Sequence, residues 1–182
     1  MTDLRIRRTE IAIKRSFIDL VNQEGFNAIS VTKIAENAMI NRLTFYKHYA
    51  DKYDLAEKLI KSLSADYRQA VEKRIQLMDS GLDFGEIIKI MTPELKEVFL
   101  NQRDTIKALI TIQIGSLTLQ SEIKTIISDN IDQLTHHESS VLEKAITLSL
   151  FLTIINYVLE QEKIPNYHEI GQILQNMQHY FS

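Results

Sequence analysis

The chain of 182 residues has no cysteine, two prolines and five glycines. Without cysteine there are no disulfides, no thiolate zinc sites and no cysteine nucleophiles. A sandwich or barrel needs many turn residues, so the scarcity of Gly and Pro points to an all-α protein. Long apolar runs are also missing. The longest uncharged stretch, Ala145 to Leu159, is 15 residues, short of the roughly 18–20 needed to cross a bilayer. It also carries Thr147, Ser149, Thr153 and Asn156. The opening MTDLRIRRTE has no apolar segment of its own, so no signal peptide is expected. The expectation is a soluble, cytoplasmic protein with no membrane partner.

Catalytic signatures are equally scarce. There is no GxGxxG, GxSxG, phosphate-binding glycine loop or HExxH, and no recognisable carboxylate pair. No catalytic residues, no cofactor and no enzymatic activity are expected. His136 and His137 are adjacent, so on a helix they face different ways, and no carboxylate–histidine spacing accompanies them. They read as a surface loop and no metal site is expected.

What the chain does have is apolar content and helical periodicity. It is 45% hydrophobic, enough for a real core. The formal net charge of −3 hides an asymmetry. Residues 1–62 hold 11 Lys/Arg against 8 Asp/Glu, a net of +3, and residues 63–182 hold 10 against 16, a net of −6. A small basic head on an acidic body suits a head that meets a polyanion.

Residues 5–24 carry Ile6, Ile13, Phe17, Leu20 and Val21 at helical spacing, and Gly25 suits the residue just past the helix end. Ser30 can cap a second helix whose inward face is Val31, Ile34, Ala35 and Ala38. Met39-Ile40-Asn41 reads as a tight turn, followed by a short helix over 42–49. Asp51 caps a long helix reaching Met78. Thr92-Pro93-Glu94 reads as the cap and first turn of a new helix, because Pro is tolerated at the first helical position. Helices are expected over 93–112, 118–134, 138–162 and 167–180.

Residues 26–55, FNAISVTKIAENAMINRLTFYKHYADKYDL, hold the functional signal. Two short helices joined by a three-residue turn and backed by a longer amphipathic helix are the helix-turn-helix layout. In it the second short helix enters the DNA major groove. Ile34, Ala35, Ile40 and Phe45 are spaced to lock the pair together. Asn41, Arg42, Thr44, Lys47 and His48 leave an outer face polar enough to meet a polar partner.

The stretch resembles the TetR/AcrR family of one-component transcriptional regulators. The shared pattern is Ser30 at the cap, the Ile34-Ala35 pair, Thr44-Phe45-Tyr46, Tyr49, Asp51-Lys52 and Leu55. It covers about the first 60 residues. Met39 stands where the family usually has Gly, and Leu43 where it commonly has Gly, Ala or Pro. The resemblance implies DNA contacts from Ser30, Thr32, Arg42, Leu43, Thr44, Tyr46, Lys47, His48 and Lys52. Ser30 and the amides at its helix start suit a phosphate, and Lys52 is the phosphate contact from the other side. Arg42 suits guanine O6/N7 and Leu43 a thymine methyl. It also implies a division into a DNA-binding head, residues 1–50 with the motif at about 30–49, and an effector-binding and dimerisation body, residues 51–182. Helix 51–78 is the connector between them.

In the body, helix 138–162 is apolar around most of its circumference, so it needs cover. A second subunit supplies it if Val141, Ile146, Leu150, Ile154, Val158, Ile173, Leu174 and Met177 form a two-fold interface; completion of a single-chain core is the other reading. Tyr67, Phe84, Met91, Phe99, Ile110, Gln113, Ile114, Leu117 and Tyr157 fit the wall of an apolar pocket or plain core packing. The function that results is a ligand-responsive regulator, most simply a repressor. It binds a near-palindromic double-stranded operator as a homodimer and is released by a small-molecule effector. A helical interaction protein that binds no DNA, or a regulator that activates or needs a co-ligand, is the alternative.

Overall fold

Helix follows helix through the computed structural model, which describes residues 2–82 and 84–178. The order is α1 (Thr2–Glu24), α2 (Val31–Asn37), α3 (Arg42–Tyr46), α4 (Lys52–Asp79) and α5 (Phe84–Leu95). A π-helical segment (Lys96–Asn101) follows, then α6 (Arg103–Ile110), α7 (Leu119–Thr135), α8 (Val141–Gln161) and α9 (Tyr167–Gln178). Among the described residues there is no strand, only an isolated bridge between Ile114 and Leu117. The protein is all-α.

Two compact units emerge. One comprises the residues up to Ala65 together with Arg103–Ile123, the other Asp66–Gln102 together with the residues from Lys124 onward. α4 belongs to both, changing unit at Ala65.

The first unit is built on local signals. Gly25 ends α1 at φ +84, a conformation that costs glycine little, and its amide reaches Val21 O at 2.9 Å. Ser30 caps α2 by accepting from the Lys33 amide at 3.3 Å. Asn41 caps α3 by accepting from the Leu43 amide at 2.8 Å. Asp51 caps α4 by accepting from the amides of Tyr53 and Asp54, both at 2.8 Å. Three consecutive capped starts within 22 residues define where each helix begins and so fix the turns between them. The core of the unit buries Ile13, Phe17, Ile34, Phe45, Leu55 and Ile60 completely. Ser16, buried among them, donates from Oγ to Ile34 O at 2.8 Å and so ties α1 to α2. α6 packs along α1, where Asn22 Nδ2 donates to Asp104 O at 2.9 Å.

The second unit departs from expectation at Pro93. This residue lies inside α5 rather than at the start of a helix, and the expected helix 93–112 is α5, the π-helical segment and α6 in turn. The reason is packing. Ile87 and Met91, one turn apart on α5, join Ala70 of α4 in a core that also takes Leu77, Met78 and Leu82. Past Pro93 the chain continues straight into the π-helical segment, which buries Val98 and Phe99, and this burial outweighs the loss of one amide donor at Pro93. Beyond it, Phe99 of the π-helical segment meets Tyr67 of α4 edge to face, ring centroids 6.0 Å apart. Burial pushes the Tyr67 phenol up to about 12, partly opposed by the nearby Arg74. Arg74 stacks over the Phe151 ring of α8 at 5.5 Å, and its own burial lowers its pKa.

α8 starts at Val141, capped by Ser140, whose Oγ accepts from the Glu143 amide at 3.2 Å. It is 21 residues long, and among the described residues it is the one helix apolar enough to cross a membrane by length and composition. The uncharged run of 15 residues understated this, because the helix extends past it at both ends. One such helix is a weak membrane signal, since an apolar helix that packs against protein has the same composition.

Candidate nucleic-acid interface

α3 is only five residues long, too short to be stable by itself. Its anchor is the fully buried Phe45, whose ring lies tilted at 47° against that of Tyr49, centroids 5.7 Å apart. Around that anchor the outer surface carries Arg42, Leu43, Tyr46 and Lys47, all exposed, with Leu43 at 71%. Thr44 is half-buried. The Asn41 cap holds the first turn in place, and the turn before it passes through Met39 at φ +53. Met39 thus adopts the left-handed conformation that Gly takes most easily, and it is 93% exposed.

Ser30 is exposed at the start of α2 and Thr32, its second residue, is half-buried. Ser30, Arg42, Leu43, Tyr46 and Lys47 are therefore all open to solvent, a set of mostly polar groups of the kinds that can meet base edges and phosphates.

Two expected contacts turn out to be engaged inside the unit. His48 is 12% exposed at its side chain, with Nδ1 3.4 Å from Glu10 of α1, so it braces α3 against α1 and does not face outward. Lys52 points its ammonium at the α1–α2 loop, 2.9 Å from the carbonyls of Phe26 and Ile29, and its outward phosphate role is not what this geometry provides. Neither partner was legible locally, since they lie 38 and 23–26 residues away in the chain. Tyr49 is buried beside them; burial first, then Glu10 and Asp54, push its phenol up to about 12. Asn41, expected on the polar outer face, has a further role that was missed, as the cap of α3. An Asn immediately before a basic helix start was the available signal.

The residues expected to line a pocket fall in both units. Tyr67, Met91 and Phe99 are buried and Tyr157 is half-buried in the second. Ile110, Gln113, Ile114 and Leu117 belong to the first. Ile114 and Leu117 pair across a tight turn at 3.0 and 2.9 Å, and the exposed Gln113 donates from Nε2 to Gly115 O at 3.1 Å. The Phe84 side chain lies outside the described residues.

Of the residues expected at a subunit interface, Val141, Ile146 and Ile173 are exposed, at 88%, 60% and 52%, and Leu150 and Ile154 are half-buried. Val158 is a correction. It is 4% exposed and belongs to its own unit's core with Ile155 and Leu159, because the C-terminal end of α8 is covered by its own unit whereas the N-terminal end, with Val141 and Ile146, is not. The Leu174 and Met177 side chains lie outside the described residues. His136 and His137 are exposed in the α7–α8 loop, and among the described residues no group of three metal-ligating side chains forms.

Residues 18–59 match the family described as bacterial regulatory proteins, tetR family. Over 65 residues, 35% of this chain, it is 34% identical to the uncharacterized HTH-type transcriptional regulator YxbF of Bacillus subtilis, of which that stretch is 17%. Over 102 residues, 56% of this chain, it is 28% identical to the uncharacterized HTH-type transcriptional regulator YdeS of the same organism, covering 48% of it. The alignments thus span less than half the length of these curated relatives. Among solved structures, the fatty acid degradation regulator FadR from Bacillus halodurans superposes with a TM-score of 0.55 at 15% identity, covering 85% of this chain and 86% of that one. A gamma-butyrolactone receptor, ArpA-like, does so with a TM-score of 0.54 at 15% identity, covering 94% and 95%. At these identities the likeness is one of fold. The matched family and both curated relatives are regulators of transcription, not enzymes.

Proposed function

We propose that this chain, whose residues 18–59 match the tetR family, is a ligand-responsive transcriptional regulator that binds double-stranded DNA as a homodimer. The observation that carries this reading is α3. A five-residue helix anchored by a buried phenylalanine exposes Arg42, Leu43, Tyr46 and Lys47 on a single capped turn. A surface helix with no partner has no use for so concentrated a mixture of guanidinium, ammonium, phenol and isobutyl groups. A major groove has a use for each. Arg42 pairs with guanine O6 and N7, Leu43 touches a thymine methyl, and Lys47 and Tyr46 reach phosphates. Ser30 and the amides that open α2 supply a phosphate grip from the other edge.

Two copies related by a two-fold axis place their α3 helices in successive major grooves, about 34 Å apart, on a near-palindromic operator. The exposed apolar face of α8, with Val141, Ile146 and part of α9, supports that pairing in the body, residues 51–182. α4 belongs to both units, so a small molecule bound in the body that favours one setting of α4 changes the affinity of the head, residues 1–50. One fold neighbour is by name a receptor for a small lactone, which supports an effector of some kind. Repression released by the effector is the simplest outcome, and a cytoplasmic location follows from access to DNA.

The test is selection of duplexes from a random-sequence library with the purified full chain, followed by Arg42→Ala. The variant should lose about 1–3 kcal/mol of binding and relax preference at one base pair per half-site, with an unchanged melting temperature. A wild-type chain that retains no duplex even at low salt defeats the reading.

A further inference from the structure

Lys52 opens α4, yet its side chain turns back toward the loop between α1 and α2. The ammonium nitrogen lies 2.9 Å from Phe26 O, 2.9 Å from Ile29 O and 3.4 Å from Asn27 O. An ammonium has three protons and no lone pair, so these three carbonyls account for all of its donors. Two aromatic rings flank it, with the nitrogen 4.8 Å from the Phe26 centroid and 5.5 Å from that of Tyr53. Those rings meet edge to face at 5.2 Å, and their faces favour a cation. Three carbonyl dipoles converging on one point repel one another unless a positive charge sits at the focus, so the loop's shape depends on this charge.

The loop it shapes leads directly into Ser30, the cap of α2 and the phosphate-facing end of the head. We infer that Lys52 is a positioning residue for DNA binding: its ammonium folds residues 26–29 around itself and so sets the start of α2 for a phosphate. The cage also ties the first turn of α4 to the entry of α2, two elements of the same unit. Any displacement of that first turn then moves the phosphate grip with it. This assignment rests on the DNA-binding reading and differs from a direct contact in a measurable way. A lysine that neutralises a phosphate releases counterions, whereas a lysine caged by carbonyls does not.

The experiment measures the affinity of the full chain, wild type, Lys52→Met and Lys52→Arg, for a duplex selected by the wild-type protein, at several salt concentrations. Melting curves establish that each variant is folded. Arg keeps the charge, but its planar fork cannot address three carbonyls arranged around a point. Both variants are expected to bind about tenfold more weakly, as loss of charge-assisted hydrogen bonds implies, with the wild-type dependence of log affinity on log salt. The assignment is overturned if Lys52→Met lowers that slope by roughly 0.9 for each phosphate lost. Wild-type affinity in the folded Lys52→Met or in Lys52→Arg overturns it equally. If Lys52→Met does not fold, Lys52→Arg decides alone. A wild-type chain that selects no duplex defeats the DNA-binding reading itself and is recognised before any variant is made.

Discussion

Helices α3 and α8 are both poorly covered by their own chain, and their chemistry is opposite. α3 has five residues and presents charge and hydrogen-bonding groups around one buried ring. α8 has 21 residues and presents Val141, Leu142 and Ile146 to solvent near its start, burying Ile155, Val158 and Leu159 toward its end. A lone molecule accounts for neither surface. Exposed polar groups are cheap in water, so α3 needs explaining only because of its concentration and its capping. Exposed apolar area is a free-energy loss of about 25 cal/mol per Å², so α8 needs explaining on stability alone. The contrast teaches that a face can signal its partner by being too rich for solvent or too poor for it. The first kind suits a polyanion and the second suits another apolar face.

The sharpest way to break this comparison is to make α8 like α3. Ile146→Glu puts a carboxylate on the apolar face at a position already 60% exposed in one subunit, so the fold of that subunit should survive. In a dimer the same carboxylate would be buried and unpaired, at a cost of about 3 kcal/mol or more, a dissociation constant raised over a hundredfold. Sedimentation should therefore show monomer at micromolar concentration, with helicity retained and duplex affinity lost along with the second head. A variant that sediments like wild type would mean that this part of α8 is not the interface.

A smaller effect separates strain from contact in the head. Met39 holds φ +53 with almost its whole side chain in solvent. Replacing it by Gly removes the clash of a β-carbon with its own backbone while adding freedom to the unfolded chain, for a net gain of about 0.5–1 kcal/mol. Met39→Gly should melt several degrees higher and bind DNA within twofold of wild type. Higher stability with weaker binding would mean that the methionine reaches the duplex, extending the α3 surface by one residue.

How much of this was readable from the sequence follows the range of the interactions. The helix starts of the head were legible, because Ser30 and Asp51 act on amides two or three residues away. So was the buried role of Phe45, since a five-residue helix has few ways to anchor itself. What was not legible depends on distant pieces of chain. Lys52 reads as a free cation until the 26–29 loop is folded against it, and His48 until α1 brings Glu10 to 3.4 Å. Pro93 misled for the complementary reason: its local preference for a helix start is real, but the helical path runs through it into the segment that buries Val98 and Phe99. In α8 the apolar character was plain, whereas which end is buried, at Val158, could be known only from what packs there.

The smallest expected effect concerns the entry to α8. His137 in the α7–α8 loop has Nδ1 2.8 Å from Thr135 O and Nε2 2.7 Å from the Glu143 carboxylate. Both partners are acceptors, so both ring nitrogens donate only in the imidazolium form. The Thr135 carbonyl first and the Glu143 carboxylate second hold the His137 pKa above its ordinary value of about 6.5. The sign follows. The clasp is fully made below the unfolded-chain value and is lost as pH rises through the raised native value, so it loosens the start of α8 on going from acid to alkaline conditions. A proton titration followed by NMR should give a His137 midpoint above about 6.5, and Glu143→Gln should lower it without abolishing the shift, since the Thr135 carbonyl remains. His137 is exposed, so the change in melting temperature should be slight, and the start of α8 should exchange its amides faster above the midpoint than below it. If that exchange ignores pH, the loop is held by the Ser140 cap and the Asp132 bonds to the Ser139 amide and Lys144, at 2.9 Å each, without help from the histidine. The apolar face of α8 would then begin from a start as local in origin as those of the head.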